Sequence, residues 1–206
     1  MKPNVVTLAM TGASGAEYTL RLIEVLLRNH IQIQFISSQP GQIVMGMETE
    51  LKLTGSPQKM RQTIVDYFSA DPELIQVYSR DQWTAPLASG SAVPDAMVVC
   101  PCTTATVSAI ANGASRSLIE RAADVVIKER NKLVLVVRET PFSTIHLENM
   151  LRLAQAGAVV LPACPGFYHR PSTVDELVDF IVARVLDQLG IGHALLKPWG
   201  SEAGHD

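Results

Sequence analysis

The chain has 206 residues, of which 47% are hydrophobic and 18% are charged, and its formal net charge is −3. This length suits a single domain that buries its own core without metal or disulfide staples. The negative charge and the lack of a Lys/Arg-rich block argue against a nucleic-acid binder, and no apolar run reaches the roughly 18 residues of a membrane span. Because soluble domains usually carry ~25% charged residues, we expect a homo-oligomer whose interfaces cover part of the surface.

The three cysteines are odd in number and lie in apolar segments, at Cys100, Cys102 and Cys164. This usage fits a reducing cytoplasm better than a disulfide framework, so we expect a cytoplasmic protein. Cys100 and Cys102 flank a proline without the spacing of a metal site, and we interpret both as small core residues. We expect no metal.

Short β-branched runs alternate with longer amphipathic stretches along the chain. The short runs, most of them continuously apolar, predict strands buried on both faces at Val5–Met10, Ile31–Ser37, Ile75–Tyr78, Ala96–Cys100, Lys132–Val137 and Ala158–Pro162. The longer stretches predict helices at Ala16–Asn29, Gln39–Leu51, Pro57–Phe68, Thr104–Asn112, Ser117–Arg130, Thr144–Ala156 and Val174–Leu189. This alternation implies right-handed crossovers and an α/β fold, with a parallel sheet between two helix layers. We predict one domain over residues 1–191 and a tail, 192–206, that contributes to the site or to an interface.

The segment Thr11-Gly12-Ala13-Ser14-Gly15 lies where the first strand passes into the first helix. Its glycines permit a tight turn and the close approach of a phosphate to the N–H groups of the helix, and Ser14 adds a hydroxyl donor. The alternative is a plain Gly-rich turn. Because the loop follows the first strand and opens a helix, we interpret it as the phosphate loop of a nucleotide site.

The neighbouring residues bear on which nucleotide this loop binds. A short-chain dehydrogenase would share such a loop, but no tyrosine here is followed four residues later by a lysine. Ser37 and Ser38 follow the second strand, where a dinucleotide site places a ribose-binding carboxylate. A serine pair suits the phosphate and ribityl chain of a flavin mononucleotide better, so the loop favours FMN.

Polar groups also follow the later strands of the predicted sheet. Thr103–Thr106 comes after the fourth strand, where its hydroxyls either cap the next helix or face a ligand, and both roles are compatible. Arg138 and Glu139 come directly after the buried fifth strand. Charges at such a place are costly unless a ligand or a partner uses them, so both are predicted site residues.

A second set of cations suggests a second anion site. Arg121 and Lys128 are seven residues apart on one helix, with Asp124 between them, and the alternative is a surface salt-bridge ladder. Tyr168 follows the last strand and Arg184 lies in the helix after it. Together these four side chains would supply donors for a phosphate separate from that of the flavin, which suggests group transfer from a phosphorylated small molecule.

Several segments together resemble the UbiX-type flavin prenyltransferases across essentially the whole chain, from Thr11–Gly15 to Leu189–Ile191. The segments that carry the resemblance are Ala88–Ser91, Ala96–Cys102, Leu118–Val125, Lys128–Arg130, Arg138–Pro141, Ile145–Leu151 and Pro165–His169. The resemblance implies a Rossmann-like three-layer αβα sandwich that assembles as a dodecamer. It also implies a metal-independent transferase that joins the dimethylallyl group of dimethylallyl monophosphate to N5 and C6 of reduced FMN. The prenylated FMN would serve UbiD-type decarboxylases.

The resemblance further implies roles for individual residues. FMN is expected to contact Gly12, Ala13, Ser14, Ser37, Ser38, Thr103, Thr104, Ala105, Thr106 and Arg138. The prenyl phosphate is assigned to Arg121, Lys128, Tyr168 and Arg184, with Ser89 and Gly90 in the same substrate site. Glu139 corresponds to a carboxylate that handles a proton, Glu48 to a second acidic residue near the phosphate, and Ser14, Lys128 and Tyr168 are also expected to act in catalysis. Trp83 and Trp199 match aromatic walls, which suit a reaction with allyl-cation character.

Two alternatives remain open at this point. One is a related flavin-dependent cysteine decarboxylase, although the Asn-containing substrate motif of those enzymes is not found here. The other is a non-catalytic FMN-binding protein on the same fold, which would have no use for a second anion site.

Overall fold

Six parallel strands form one sheet in the order β3-β2-β1-β4-β5-β6. The structure is a computed structural model that describes residues 2–196. The strands are β1 (Val5–Met10), β2 (Gln32–Ser37), β3 (Ile75–Tyr78), β4 (Ala96–Cys102), β5 (Lys132–Val137) and β6 (Val159–Pro162). β4 runs two residues further than predicted because Cys102 still pairs with Val137 of β5.

The helices occupy the predicted stretches, with small differences at their ends. They are α1 (Ala16–Arg28), α2 (Gln39–Glu48), α3 (Pro57–Phe68), α4 (Thr104–Ala111), α5 (Leu118–Lys128), α6 (Thr144–Gln155) and α7 (Val174–Leu189). Side-chain caps set several starts, among them Ser117 before α5 and Thr173 before α7, each of which accepts a hydrogen bond from the first turn. Three short 3₁₀ turns, Pro72–Leu74, Pro86–Ala88 and Gly90–Ala92, were not predicted.

Successive residues of each strand face opposite sides of the sheet, and two hydrophobic cores result. Leu8 of β1 belongs to the core that α1, α2, α3 and α7 cover, and Ala9 belongs to the core under α4, α5 and α6. This arrangement confirms the predicted three-layer α/β fold with a parallel sheet. Within residues 2–196, no helix is long and apolar enough to cross a membrane.

The strand order reverses between β1 and β4, which lie side by side at the centre of the sheet. The crossover from β1 runs toward β2 and the one from β4 toward β5, so the loops that leave their carboxyl ends diverge. Ligands of open parallel sheets bind in the crevice at this position.

Candidate functional site

A cavity of about 310 Å³ lies at the carboxyl ends of β1 and β4. Its walls include five of the residues predicted to contact the cofactor, Gly12, Ser38, Thr103, Ala105 and Thr106. A neighbouring cavity of about 280 Å³ includes Ser37 and shares Arg80 with the first. The structure therefore brings the loops after β1, β2 and β4 together around one crevice.

Thr11 fixes the two central loops against each other. Its hydroxyl donates a hydrogen bond to the Pro101 carbonyl oxygen (2.9 Å) and accepts one from the Thr103 backbone nitrogen (2.9 Å). The side chain is buried, with 4% of its surface exposed. The sequence offered no signal for this role beyond the position of Thr11 at the end of a strand, and we had not predicted it.

Gly12 is required by the close approach of the first turn of α2. A Cβ atom at this position would lie 2.4 Å from the Cβ atom of Pro40. Beside it, Ser38 caps α2 by accepting a hydrogen bond from the Gly41 nitrogen (3.1 Å), and Ser37 accepts one from the Gln42 side chain (3.1 Å). The hydroxyls of the two serines thus stabilise the turn between β2 and α2. Ser38 also lines the first cavity, and Ser37 lines the second.

Thr103 caps the start of α4, which confirms the capping role considered for this segment. Its hydroxyl accepts a hydrogen bond from the Thr106 nitrogen (3.1 Å) and lies 2.9 Å from the Thr106 hydroxyl. Thr104 instead donates to the Glu139 carboxylate at 3.4 Å, and Ala105 is exposed at the cavity. One short segment therefore caps a helix, lines the cavity and contacts the predicted catalytic carboxylate.

Glu48 places its carboxylate on the first turn of α1. One carboxylate oxygen accepts hydrogen bonds from the Gly15 and Ala16 backbone nitrogens, both at 2.8 Å. Partial burial alone would raise the pKa of this carboxyl group, but hydrogen bonds from the Ser14 hydroxyl and from these two N–H groups, with the charge of Arg138, lower it. A phosphate that approaches the Gly-rich loop therefore meets an anion already bound to the helix N-terminus.

Arg138 follows β5 at the same edge of the sheet. Its backbone nitrogen donates to the Cys102 carbonyl oxygen (3.2 Å), while its side-chain Nε is buried and has no hydrogen-bond partner among the described residues. Burial raises the pKa of the nearby Tyr18 phenol, Cys100 and Cys164 raise it further, and the Arg138 charge opposes them. A buried guanidinium donor without a partner fits an anionic group such as the phosphate of FMN.

Glu139 is half-buried beside Arg138 and is held by two neighbours. Its carboxylate accepts hydrogen bonds from the Thr140 nitrogen (3.1 Å) and from the Thr104 hydroxyl (3.4 Å). The second contact ties the loop after β5 to the start of α4. A carboxylate held in this way, at the carboxyl ends of the strands, is suited to take up or release a proton.

Arg121, Lys128, Ser89 and Gly90 form one group on the α5 side of the sheet. Arg121 donates to the Ala88 carbonyl oxygen (3.0 Å) and pairs with Asp124 (2.8 Å), which confirms the first step of the salt-bridge ladder. Lys128 forms an ion pair with Glu129, and a Cβ atom added to Gly90 would lie 2.8 Å from the Lys128 Nζ atom. The hydroxyls of Ser89 and Ser91 lie 3.0 Å apart at the same turn.

Tyr168 and Arg184 form a second group, on the α7 side. The Tyr168 and Phe180 ring centres are 5.9 Å apart, and Arg184 lies one helical turn beyond Phe180 on α7. His169 stacks on Phe180 with an angle of 10° between the rings, and both of its ring nitrogens are buried without a hydrogen-bond partner in residues 2–196. Arg184 pairs with Asp187 at 2.7 Å.

One chain does not bring these two groups of predicted phosphate residues together. α5 and α7 cover opposite faces of the sheet. Lys128 is the last residue of α5 and lies near the amino end of β5, whereas Glu139 follows the carboxyl end of β5. A strand of six residues separates its two ends by roughly 20 Å. Trp83 lies exposed in the loop after β3, and Trp199 is outside the described residues.

Acidic and sulfur-containing side chains are scattered in the part of the chain that the structure describes. There, no group of three or more His, Cys, Asp or Glu residues could hold a metal ion. Cys100 and Cys102 are buried free thiols whose pKa burial raises, and Cys164 is an exposed one.

Comparison with known proteins gives concordant results for family and fold. The family model Flavoprotein matches residues 1–186. Flavin prenyltransferase UbiX of Pseudomonas aeruginosa is 54% identical over 200 residues, covering 97% of this chain and 96% of that protein. Flavin prenyltransferase UbiX of Halalkalibacterium halodurans is 43% identical over 198 residues, covering 96% and 94%.

Solved structures agree with these sequence matches. The crystal structure of AnUbiX in complex with FMN and dimethylallyl pyrophosphate has a TM-score of 0.85 and 35% identity, covering 96% of this chain and 98% of that one. A dodecameric FMN-dependent UbiX-like decarboxylase from Escherichia coli has a TM-score of 0.84 and 37% identity, covering 95% and 98%. The cypemycin decarboxylase CypD shares only 12% identity at a TM-score of 0.60, which is a likeness of fold alone.

Proposed function

The chain belongs to the UbiX family of flavin prenyltransferases within the flavoproteins, and we propose that it joins the dimethylallyl group of dimethylallyl monophosphate to reduced FMN. The product, prenylated FMN, would be passed to a UbiD-type decarboxylase. The observation that carries the proposal is the buried Nε of Arg138, which has no partner among residues 2–196 and lies at the same carboxyl ends of the strands as the crevice at the β1/β4 switch point. Glu139 follows Arg138 in the chain and contacts Thr104 at the start of α4. AnUbiX, of the same fold, has been solved with FMN and a dimethylallyl ester.

The flavin site in this proposal is built from the loops around that crevice. Reduced FMN, when bound, supplies the nucleophilic positions N5 and C6 to which the prenyl group becomes attached. Gly12, Ser38, Thr103, Ala105 and Thr106 line the crevice and would orient it, together with Ala13, Ser14, Ser37 and Thr104 of the same segments. Arg138 would neutralise its phosphate. These loops are held by backbone and hydroxyl contacts, so the donors are in position before the ligand arrives.

The prenyl phosphate is proposed to bind Arg121, Lys128, Tyr168 and Arg184. Cationic and hydroxyl donors stabilise the charge that develops on a departing phosphate. Because one chain keeps these residues in two groups, we propose that copies of the chain assemble so that one completes the site of another, in a dodecamer like that of the E. coli relative. Trp83 and Trp199 would face the allyl group, whose positive charge an aromatic surface stabilises.

Two carboxylates have separate roles in this scheme. Glu139, held by Thr104 and the Thr140 N–H, would accept the proton released when the ring closes. Glu48, the second acidic residue expected near the phosphate, would hold the first turn of α1, and with the Ser14 hydroxyl it would fix the shape of the Gly-rich loop. The departing phosphate itself supplies a second basic group.

The domain limits and the compartment complete the proposal. Residues 1–191 would form the flavoprotein domain, and 192–206, most of it outside the described residues, would contribute to the site or to an interface. Two buried free thiols, Cys100 and Cys102, support a reducing cytoplasm as the site of action.

The direct test is to incubate the purified protein with reduced FMN and dimethylallyl monophosphate. The mass of the flavin released from the protein is then measured by mass spectrometry. We expect a flavin heavier by one C5H8 unit. Recovery of unmodified FMN, with both ligands shown to bind, would refute the transferase assignment. Substituting dimethylallyl pyrophosphate in a parallel reaction shows which ester is used. Oxidative decarboxylation of a cysteine-containing peptide would instead assign the protein the alternative activity, that of a flavin-dependent cysteine decarboxylase.

A further inference from the structure

The chain turns back on itself after α7. Gly190 adopts a left-handed conformation with φ 68°, and the Ile191 nitrogen donates to the Leu186 carbonyl oxygen at 3.0 Å. This pattern is a Schellman termination, which needs a residue without a Cβ penalty at the left-handed position. Ile191 is buried after it, with 3% of its surface exposed. The turn directs the following residues along the side of the helix they have just left.

His193 lies beside the last turn of α7 as a result. Its Nδ1 atom accepts a hydrogen bond from the Leu195 backbone nitrogen (3.3 Å), so the ring hydrogen of the neutral imidazole is on Nε2. Nε2 lies 3.1 Å from one carboxylate oxygen of Asp187 and donates to it. The His193 side chain is only 11% exposed, and Leu195 packs against the hydrophobic core.

Asp187 uses its second carboxylate oxygen to hold Arg184. That oxygen accepts a hydrogen bond from the Arg184 NH1 group at 2.7 Å, across one helical turn. A chain of contacts therefore runs from the Leu195 nitrogen through His193 and Asp187 to the Arg184 guanidinium.

The Arg184 guanidinium retains most of its donors for another ligand. Arg has five N–H donors in a planar fork, and within residues 2–196 only NH1 has a partner. Arg121 is anchored in a comparable way, by the Ala88 carbonyl oxygen and Asp124, in the other group of predicted phosphate residues. Both guanidinium groups are thus fixed by acceptors on their own chain before any phosphate binds.

We propose that His193 and Asp187 are positioning residues that hold Arg184 for the prenyl phosphate, so the segment after α7 sets the affinity of the site for that phosphate. The inference rests on the proposed function, which supplies the ligand of Arg184. A free arginine side chain samples many rotamers. An anchor that selects one of them reduces the conformational entropy that is lost when phosphate binds. The hydrogen bond from His193 fixes the orientation of the Asp187 carboxylate. In an isolated exposed ion pair, by contrast, neither side chain is fixed.

The test compares His193→Ala with His193→Gln, whose side-chain amide can still donate to Asp187. Three quantities are measured: KM and kcat for dimethylallyl monophosphate with reduced FMN, and the calorimetric Kd of inorganic phosphate. We expect His193→Ala to raise KM and the phosphate Kd by about threefold to fivefold with kcat unchanged, as for the loss of one modest ion-pair anchor. His193→Gln should recover most of the loss. His30→Asn is the control for removing an imidazole, because His30 is exposed and Asn tolerates its left-handed backbone conformation. This variant should change neither KM nor the phosphate Kd.

A double-mutant cycle separates positioning from general stability. In an Arg184→Ala background, His193→Ala should cause no further change in KM or in the phosphate Kd, because the group it positions is absent. The same fold-change in both backgrounds, or an unchanged phosphate Kd in His193→Ala, would overturn the inference. Failure of the wild-type protein to make a heavier flavin refutes the proposed function instead, and the phosphate titrations still decide whether His193 acts through Arg184.

Discussion

The carboxylate of Glu48 lies 2.8 Å from the backbone nitrogen of Ala16, the first residue of α1. The two residues are 32 positions apart, and the contact places a negative charge at the positive end of a helix dipole. Ser14 and Gly15 donate to the same carboxylate. The Gly-rich loop is therefore shaped around an internal anion as well as around the crevice next to it.

Glu48→Gln should lower the free energy of unfolding near neutral pH by about 0.3–1 kcal/mol, the usual contribution of a charge at a helix terminus. The pKa of Glu48 is lower in the folded chain, so its stabilisation is complete above the unfolded pKa and is lost as the pH falls through the folded one. Urea unfolding between about pH 6 and pH 3 measures this dependence. The difference between wild type and variant should shrink toward acid pH. A constant difference, or an equal one for the exposed Glu50→Gln, would contradict the role of Glu48.

Thr11→Val removes the two hydrogen bonds that the Thr11 hydroxyl makes to Pro101 and Thr103, and it leaves the backbone bond from the Thr11 nitrogen to the Pro101 carbonyl oxygen (3.2 Å). The Thr103 nitrogen loses its acceptor, so the variant should lose about 1–3 kcal/mol of unfolding free energy. FMN affinity should fall with it, because residues of the loop after β1 and of the segment after β4 both line the cavity. Thr11→Ser keeps the hydroxyl and should behave like the wild type. Urea unfolding and a fluorescence titration with FMN measure the two effects, and equal losses in both variants would show that the hydroxyl of Thr11 is not what links the two segments.

The elements of this fold could be predicted from the sequence because their signals are local. Continuous apolar runs mark β1, β4 and β5, and capping residues such as Ser117 and Thr173 stand just before their helices. The loops at the carboxyl ends of the strands then identify Gly12, Thr103 and Arg138 as neighbours, since parallel strands end at one edge.

Contacts between side chains far apart in sequence could not be predicted in this way. Nothing local indicates that Thr11 reaches the Thr103 nitrogen or that Glu48 reaches Gly15. The spacing of Arg121 and Lys128 was informative but incomplete. Seven residues bring two side chains to one face of a helix but also separate them by roughly 10 Å along its axis, which places Lys128 toward the other edge of the sheet.

Glu139→Gln should separate binding from chemistry. Glutamine keeps the size of the side chain and one of the two oxygens, so it can still accept from the Thr140 N–H. Its NH2 group can donate to the Thr104 hydroxyl, which reverses that bond, so FMN should bind with about the same Kd. Without a proton acceptor, product formation should fall by roughly 100-fold or more. Mass analysis of the flavin after a fixed time measures this, with the exposed Glu148→Gln as a control. Undiminished turnover would remove Glu139 from the mechanism.

Gly90→Ala tests whether Lys128 binds the prenyl phosphate. The added Cβ atom would lie 2.1 Å from a carboxylate oxygen of Glu129 and 2.8 Å from the Lys128 Nζ atom, so this flexible pair must move. We expect KM for dimethylallyl monophosphate to rise by about fivefold to tenfold, with unfolding free energy and FMN affinity nearly unchanged. Gly46→Ala, whose new atom meets only ordinary contacts, is the matched control. A parallel loss of FMN affinity would place Lys128 at the flavin instead.

Mixed assemblies of two impaired variants test whether neighbouring copies share a site. Lys128 and Glu139 lie at opposite edges of the sheet in one chain, so a single site must take them from different copies if both act on the same substrate. Coexpression of Lys128→Ala with Glu139→Gln should therefore restore activity in about one site in four, since each chain supplies its intact half at random. Arg121→Ala with Lys128→Ala should restore none, because both changes fall in the same group on α5. Activity no greater than that of the separate variants in the first mixture would show that the two residues do not serve one shared site.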